Sequence, residues 1–207
     1  MSTSSHKVVF FDVDTQFDFM IPGGKLYAAG AEELIPNLER LMNFAREHHV
    51  PVISSADAHV PDDPEFRQFP PHCVKGTPGQ AKLALTLLPG HRTIAPEGEP
   101  LPPPEEIARH PQWILEKRTL DIFSNPSVAP LVITLAAKRY VVFGVATDYC
   151  VKITALGLLR MGCRVSVVTD AIQAIDPAAA KAALQEMKDA GAEFVNTEMV
   201  LSQAISV

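Results

Sequence analysis

The chain has 207 residues, 47% of them hydrophobic, and its formal net charge at pH 7 is −6. This charge leaves no basic field for nucleic acid or anionic lipid, and no apolar run approaches the roughly 18 residues that span a bilayer. No secretory h-region is present either. We therefore expect one α/β domain over residues 1–207, located in the cytoplasm, without nucleic-acid or membrane partners.

The predicted elements alternate along the chain. Helical apolar spacing covers residues 31–47, 128–137, 149–161 and 177–190, and the last of these opens with Asp176 as N-cap and Pro177 at the first helical position. Six short apolar runs are typical of buried strands: 7–14, 50–55, 113–116, 140–145, 165–168 and 193–195. Such alternation predicts a three-layer α/β/α sandwich with a mostly parallel six-stranded sheet.

One segment, residues 76–112, breaks this pattern. It contains the proline-rich sequence PEGEPLPPPEE, whose composition is typical of a linker between domains. Residues on both of its sides contribute to one candidate site, which a domain boundary would separate. We therefore predict a long loop or lid.

Reactive side chains follow four of the predicted strands. Asp14 ends the first strand, Asp57 and His59 follow the second, Lys117 follows the third, and Cys150 lies in the turn after the fourth. In an open parallel sheet the ligand crevice lies outside the carboxyl ends of the strands. The sequence therefore predicts a site that combines a carboxylate, an amine, a thiol and metal-binding groups.

Cys150 is the strongest nucleophile candidate among three cysteines, which show no spacing for a zinc site and are expected to be free thiols. Most cysteines are simply small buried hydrophobes, which is our interpretation of Cys163, while Cys73 stays open. Cys150 lies near a predicted helix start and a lysine, and both lower a thiol pKa, so we expect some thiolate at neutral pH. Asp14 is the candidate general base, and Lys117 would hold it in place.

A second group of candidate site residues consists of the metal-binding side chains of Asp57, His59 and His72. Two imidazoles and a carboxylate are usual ligands of a divalent ion, and alternate residues of an extended segment face the same way. Glu65 is a possible fourth ligand, with a solvated carboxylate as the alternative. We expect the ion to be Zn²⁺, and the same ligands also bind Fe²⁺ or Mn²⁺.

Several segments together resemble the nicotinamidase branch of the isochorismatase-like cysteine hydrolases, in order from about residue 7 to about residue 200. They are DTQFDF at 14–19, DAH at 57–59, FPPHCVKGT at 69–77, Lys117, and GVATDYCV at 144–151. The block PPHCVKGT after DAH is the most specific, because it marks the metal-dependent nicotinamidases.

The resemblance implies roles for these residues. The catalytic residues would be Asp14, Lys117 and Cys150. The metal ligands would be Asp57, His59 and His72. A cis peptide would join Val145 to Ala146, and the N–H groups of Ala146 and Cys150 would form an oxyanion hole. The expected walls of the substrate pocket are Phe19, Phe69, Val145 and Tyr149. Relatives commonly self-associate, so a homo-oligomer is possible.

The predicted activity is the hydrolysis of nicotinamide to nicotinate and ammonia through a Cys150 thioester. One alternative keeps the thiol chemistry but acts on another small amide or a carbamoyl compound. A metal-hydroxide hydrolase with a bystander thiol is a second alternative. A protein that binds a small molecule or a metal without catalysis is the third.

Overall fold

Seven parallel strands form one sheet in the computed structural model, which describes residues 8–205. Their order across the sheet is β3-β4-β2-β1-β5-β6-β7, and every neighbouring pair is parallel. The strands are β1 (Val8–Val13), β2 (Val52–Asp57), β3 (Arg92–Ile94), β4 (Gln112–Lys117), β5 (Arg139–Val145), β6 (Val165–Gln173) and β7 (Glu193–Val195). Lys7, the predicted start of the first strand, lies outside the described residues.

Helices cover both faces of the sheet. They are α1 (Phe17–Met20), α2 (Ile35–His48), α3 (Pro104–Ile107), α4 (Val128–Leu135), α5 (Lys152–Arg160), α6 (Pro177–Asp189) and α7 (Thr197–Ile205). Successive residues of β1 point into two different apolar clusters: Phe11 packs with α4, α5 and α6, whereas Phe10 packs with α2 and α7. The predicted α/β/α sandwich is therefore confirmed.

The predicted count of six strands is wrong, because β3 adds a seventh at one edge. This strand has only three residues and lies inside segment 76–112, which also contains α3 and two short 3₁₀ turns. Three residues are too few to show a period-two pattern, so the strand depends on its pairing with β4 for its conformation. The role of this segment as a lid, and the single domain over residues 1–207, stay predictions.

Local signals account for the helix boundaries. Helix α2 carries buried Leu38, Leu41 and Met42 on one face, and it ends at His48, where the next residue, His49, has a left-handed backbone. Helix α6 begins as predicted, with the Asp176 side chain accepting a hydrogen bond of 2.8 Å from the Ala178 N–H. No helix within residues 8–205 is both long and apolar enough to cross a membrane.

Gly144, near the end of β5, allows a close approach of two strands. Its φ is +116°, and a Cβ atom there would overlap the backbone of Val13 in β1. Gly162 has a comparable φ of +79°, but a Cβ atom there would meet nothing within 4 Å. The two positions therefore separate backbone strain from steric overlap.

We expect Gly144→Ala to lower the free energy of unfolding by roughly 3 kcal/mol or more, because strain and overlap with a neighbouring strand add together. The matched control Gly162→Ala carries only the strain, which is about 1 kcal/mol. Urea denaturation measures both values. Equal effects of the two substitutions would contradict the close approach of β1 and β5.

Candidate active site

The carboxyl ends of β1, β2, β4 and β5 bring four predicted residues together. Asp57 and Lys117 are paired at the ends of β2 and β4, Asp14 follows β1, and Cys150 follows β5. All four residues are buried, with at most 5% of any of them exposed. The polar groups therefore interact with one another in a nearly dry environment.

The Lys117 ammonium group is the centre of this arrangement. Its Nζ lies 3.0 Å from Asp14 Oδ2 and 3.6 Å from Cys150 Sγ, and it also forms a short ion pair with Asp57 Oδ1. Burial alone would lower the pKa of Lys117, but the carboxylates of Asp14 and Asp57 outweigh it and raise that pKa well above its usual value. Lys117 is therefore a fixed positive charge.

Asp14 has a left-handed backbone, with φ of +47°. Ser55 at the neighbouring strand end holds it twice: the Ser55 hydroxyl donates to Asp14 Oδ1 at 2.6 Å and accepts from the Asp14 N–H at 3.2 Å. Oδ2 makes the ion-pair contact with Lys117 but has no hydrogen bond within the described residues. This oxygen is therefore available to receive a proton.

Cys150 lies in a π-helical turn, Thr147–Val151, that precedes α5. The Ala146 carbonyl oxygen accepts hydrogen bonds from the N–H groups of Tyr149 and Val151, at 3.1 and 3.0 Å. The sequence predicts a regular helix from residue 149, and this single wider turn is where the structure differs. π turns of this kind occur often at functional sites.

The expectation of a partly ionised thiol is wrong for this environment. Burial raises the pKa of Cys150 well above its usual value, and the nearby carboxylates of Asp14 and Asp57 add to this, while Lys117 only partly opposes it. The lysine was correctly predicted as a neighbour, but the loss of water around the thiol is the larger effect. The resting group is a thiol that needs a base.

A narrow cavity opens beside Cys150. The predicted pocket residues Phe19, Phe69, Val145 and Tyr149 all line it, and Ala146 does so as well. The rings of Phe69 and Tyr149 meet edge to face, with centroids 5.5 Å apart. The peptide between Val145 and Ala146 is cis, as expected from the resemblance. The aromatic and polar lining of the cavity suits one flat ring with a polar substituent.

Metal-ligating groups form part of the same wall. Asp57, His59, Glu65 and His72 each offer one ligand atom, and these four atoms lie within 4.8 Å of one another. Asp57 Oδ2 is 3.5 Å from Nε2 of both His59 and His72, and Glu65 Oε1 is 3.8 and 3.9 Å from these nitrogens. Ligand atoms held by a tetrahedral zinc at about 2.1 Å are about 3.4 Å apart, so the spacing fits an ion.

The free nitrogen atoms and the carboxylates of this group also suit a bound cation. Nδ1 of His72 lies 2.8 Å from the Pro70 carbonyl oxygen, which can only accept, so Nε2 keeps its lone pair free for a metal. The buried Nε2 of His59 has no hydrogen-bond partner among residues 8–205. Burial raises the pKa of Glu65, and the Asp57 carboxylate raises it further. A divalent cation would compensate this negative charge.

Three supporting residues are absent from the sequence prediction. Ser55 holds Asp14, and Asp63 Oδ2 lies 3.1 Å from Nδ1 of His59. The Gln16 side chain accepts from the Asp57 N–H at 2.7 Å and donates to the Asp57 carbonyl oxygen at 2.9 Å. Gln16 and Ser55 each lie two residues from a predicted site residue, Asp14 and Asp57 respectively, and this spacing could have indicated them.

The two remaining cysteines lie apart from the cavity lining. All three cysteines of the chain are free thiols, as predicted. Cys73 is fully buried next to His72, and burial raises the pKa of its thiol. Cys163 is half-buried at the end of α5, where it packs against the apolar core. Cys150 is thus the thiol that the fold brings to the charged cluster.

Comparison with known proteins places this geometry in a family, because residues 8–199 match the isochorismatase domain. The chain belongs to this family. Over 205 residues it is 29% identical to the nicotinamidase of Escherichia coli (strain K12), with 87% of this chain and 90% of that protein covered.

Two solved structures of similar proteins carry ligands. The pyrazinamidase of Pyrococcus horikoshii in complex with zinc has a TM-score of 0.75 and 28% identity, covering 92% of this chain and 99% of its own. PnC1 from L. infantum in complex with nicotinate has a TM-score of 0.76 and 25% identity, covering 96% of both chains. The predicted resemblance is confirmed: this isochorismatase-family chain is a hydrolase of the nicotinamidase type, with a group of residues suited to a divalent metal.

Asp63 offers a test of the metal site that does not depend on catalysis. We expect Asp63→Asn to weaken binding of a divalent metal by on the order of 10–100-fold, because the carboxylate orients His59 and raises its basicity. Competition with a chromogenic chelator measures the affinity. Asp62→Asn is the matched control, since Asp62 is exposed next to it. An unchanged affinity in Asp63→Asn would contradict the supporting role of Asp63 for His59 at this site.

Proposed function

We propose that this protein hydrolyses nicotinamide to nicotinate and ammonia through a thioester on Cys150. The single observation that carries the proposal is the shared cavity: its lining includes Cys150, which contacts Lys117, and also Asp57, Glu65 and His72 of the metal-ligating group. A flat ring between them would have its carboxamide at the thiol and its ring nitrogen at the metal.

In the first half of the reaction, Asp14 Oδ2 takes the proton of the Cys150 thiol as the sulfur attacks the amide carbon. Such a base is required because the resting thiol is protonated. The carbonyl oxygen becomes an oxyanion, and the N–H groups of Ala146 and Cys150 stabilise it. Asp14 then gives the proton to the amide nitrogen, the C–N bond breaks, and ammonia leaves a nicotinoyl thioester behind.

In the second half, Asp14 takes a proton from a water molecule, whose oxygen attacks the thioester carbon. The same two N–H groups hold the second oxyanion. The C–S bond then breaks, the sulfur recovers a proton from Asp14, and the product leaves as the acid, which loses its remaining proton to water and becomes nicotinate. Lys117 keeps its charge throughout and stabilises the anionic forms of Asp14 and Cys150. The carboxylate thus acts in turn as base and acid in both halves.

A divalent ion held by Asp57, His59, Glu65 and His72 would supply a Lewis acid for the ring nitrogen of the substrate. The mixed imidazole and carboxylate donors favour Zn²⁺, and Fe²⁺ and Mn²⁺ accept the same donors. Orientation of the ring is the main benefit, because a fixed amide carbon near the sulfur removes an entropic cost of the reaction. Phe69 and Tyr149 would flank the ring.

We expect Cys150→Ala to reduce ammonia release from nicotinamide by roughly 10⁴-fold or more, because the substitution removes the thiol of the cavity lining that would form the thioester. The metal content should stay unchanged. A coupled assay for ammonia and elemental analysis of the same sample make the two measurements. Cys163→Ala is the control and should keep full activity.

The same assay separates the alternatives when it includes pyrazinamide, several aliphatic amides and a carbamoyl compound. Ammonia from a carbamoyl compound but not from nicotinamide would replace the proposed substrate. Near-normal turnover by Cys150→Ala would support a metal-hydroxide mechanism instead. No ammonia from any amide would indicate a binding protein.

A further inference from the structure

A second buried ion pair lies next to the catalytic cluster and has no part in the mechanism above. Lys82 Nζ is 3.0 Å from Asp12 Oδ2, and the two side chains are 4% and 0% exposed. Two charges lose much hydration when they are buried this deeply, so an apolar pair would often serve stability equally well. The position of the pair points to another use.

Both side chains of this ion pair contact Thr15, the residue after Asp14. Asp12 Oδ1 accepts from the Thr15 hydroxyl at 2.8 Å, and Lys82 Nζ donates to the same hydroxyl oxygen at 3.0 Å. Lys82 Nζ also donates to the Ser55 carbonyl oxygen at 3.2 Å. The pair thus connects the residue after Asp14 with the serine that holds the Asp14 carboxylate.

The residues before and after Lys82 also form backbone hydrogen bonds with the turn that follows Asp14. The N–H of Phe17 donates to the Ala81 carbonyl oxygen, and the N–H of Leu83 donates to the Thr15 carbonyl oxygen, each at 2.9 Å. These two bonds surround an antiparallel bridge between Gln16 and Lys82. Residues 81–83, far along the chain from β1, are therefore fastened to the turn that carries Asp14.

The turn needs this support because Asp14 is left-handed, with φ of +47°. An aspartate in this region costs free energy and persists only where its surroundings over-determine it. Ser55 constrains the side chain of Asp14 from β2, and the Asp12–Lys82 pair constrains the backbone that follows. Together they define where Oδ2 lies relative to the Cys150 sulfur.

We propose that Asp12 and Lys82 are positioning residues, which hold the Asp14 turn in the conformation that aims its carboxylate at the Cys150 thiol. The inference rests on the proposed function, because it assigns Asp14 the transfer of the thiol proton. Asp12 and Lys82 do not line the cavity. Their loss should therefore affect proton transfer and leave the binding of substrate and metal intact.

The test compares kcat, KM, metal content and Tm in four variants, assayed well below the lowest Tm with whichever amide the wild type hydrolyses fastest. We expect Lys82→Met and the uncharged pair Asp12→Asn with Lys82→Met to lower kcat by on the order of 10–100-fold, with KM and metal content within twofold of wild type. Lys82→Arg, which keeps the charge, should restore most of kcat. Lys75→Met is the matched control, because Lys75 forms an ion pair with Glu116 nearby but is half-exposed.

The outcomes are distinguishable. Lower Tm values with a wild-type kcat in Lys82→Met and in the double variant would overturn the inference, because the pair would then serve stability alone. A rise in KM that accounts for the loss would overturn it as well. If Lys82→Met does not fold, Asp12→Asn alone gives the same comparison, since asparagine keeps the shape of the side chain. A wild type that releases no ammonia from any amide would reject the proposed function and this inference together.

Discussion

The structure of the site depends on one buried ammonium group. Lys117 contacts two carboxylates and a thiol, and these groups come from the ends of three other strands. Two buried carboxylates without a cation would be very unfavourable, so the lysine makes their close approach possible. Because Asp57 also belongs to the metal-ligating group, the same charge links the thiol to the metal site.

The burial of the site affects both the ion pairs of Lys117 and the protonation of the Cys150 thiol. A dry environment strengthens every ion pair around Lys117, but it also keeps the Cys150 thiol protonated. In the proposed mechanism the thiolate would therefore form only as it reacts, when Asp14 accepts its proton. A protonated thiol would also be less open to other electrophiles and to oxidants, since the thiolate is the reactive form of cysteine. The cost is a strict demand on the position of Asp14.

The sequence could predict those site residues that directly follow the strands of the parallel sheet. Asp14, Asp57, Lys117 and Cys150 each follow an apolar run, and the carboxyl ends of such runs meet at one edge. The thiol pKa was mispredicted because it depends on the depth of burial, which no local pattern reports. The strand β3 was missed because three residues acquire their conformation from a neighbour. Asp63 was missed because its partner, His59, lies four residues away in an irregular segment.

The proposed mechanism requires that Cys150 becomes covalently acylated during turnover. Rapid mixing with excess nicotinamide, followed by an acid quench and peptide mass spectrometry, detects such an intermediate. We expect a nicotinoyl group on the peptide that contains Cys150, formed within one turnover and absent from the peptides of Cys73 and Cys163. Full turnover with an unmodified Cys150 peptide at every quench time, under conditions in which an authentic nicotinoyl thioester survives the work-up, would contradict it.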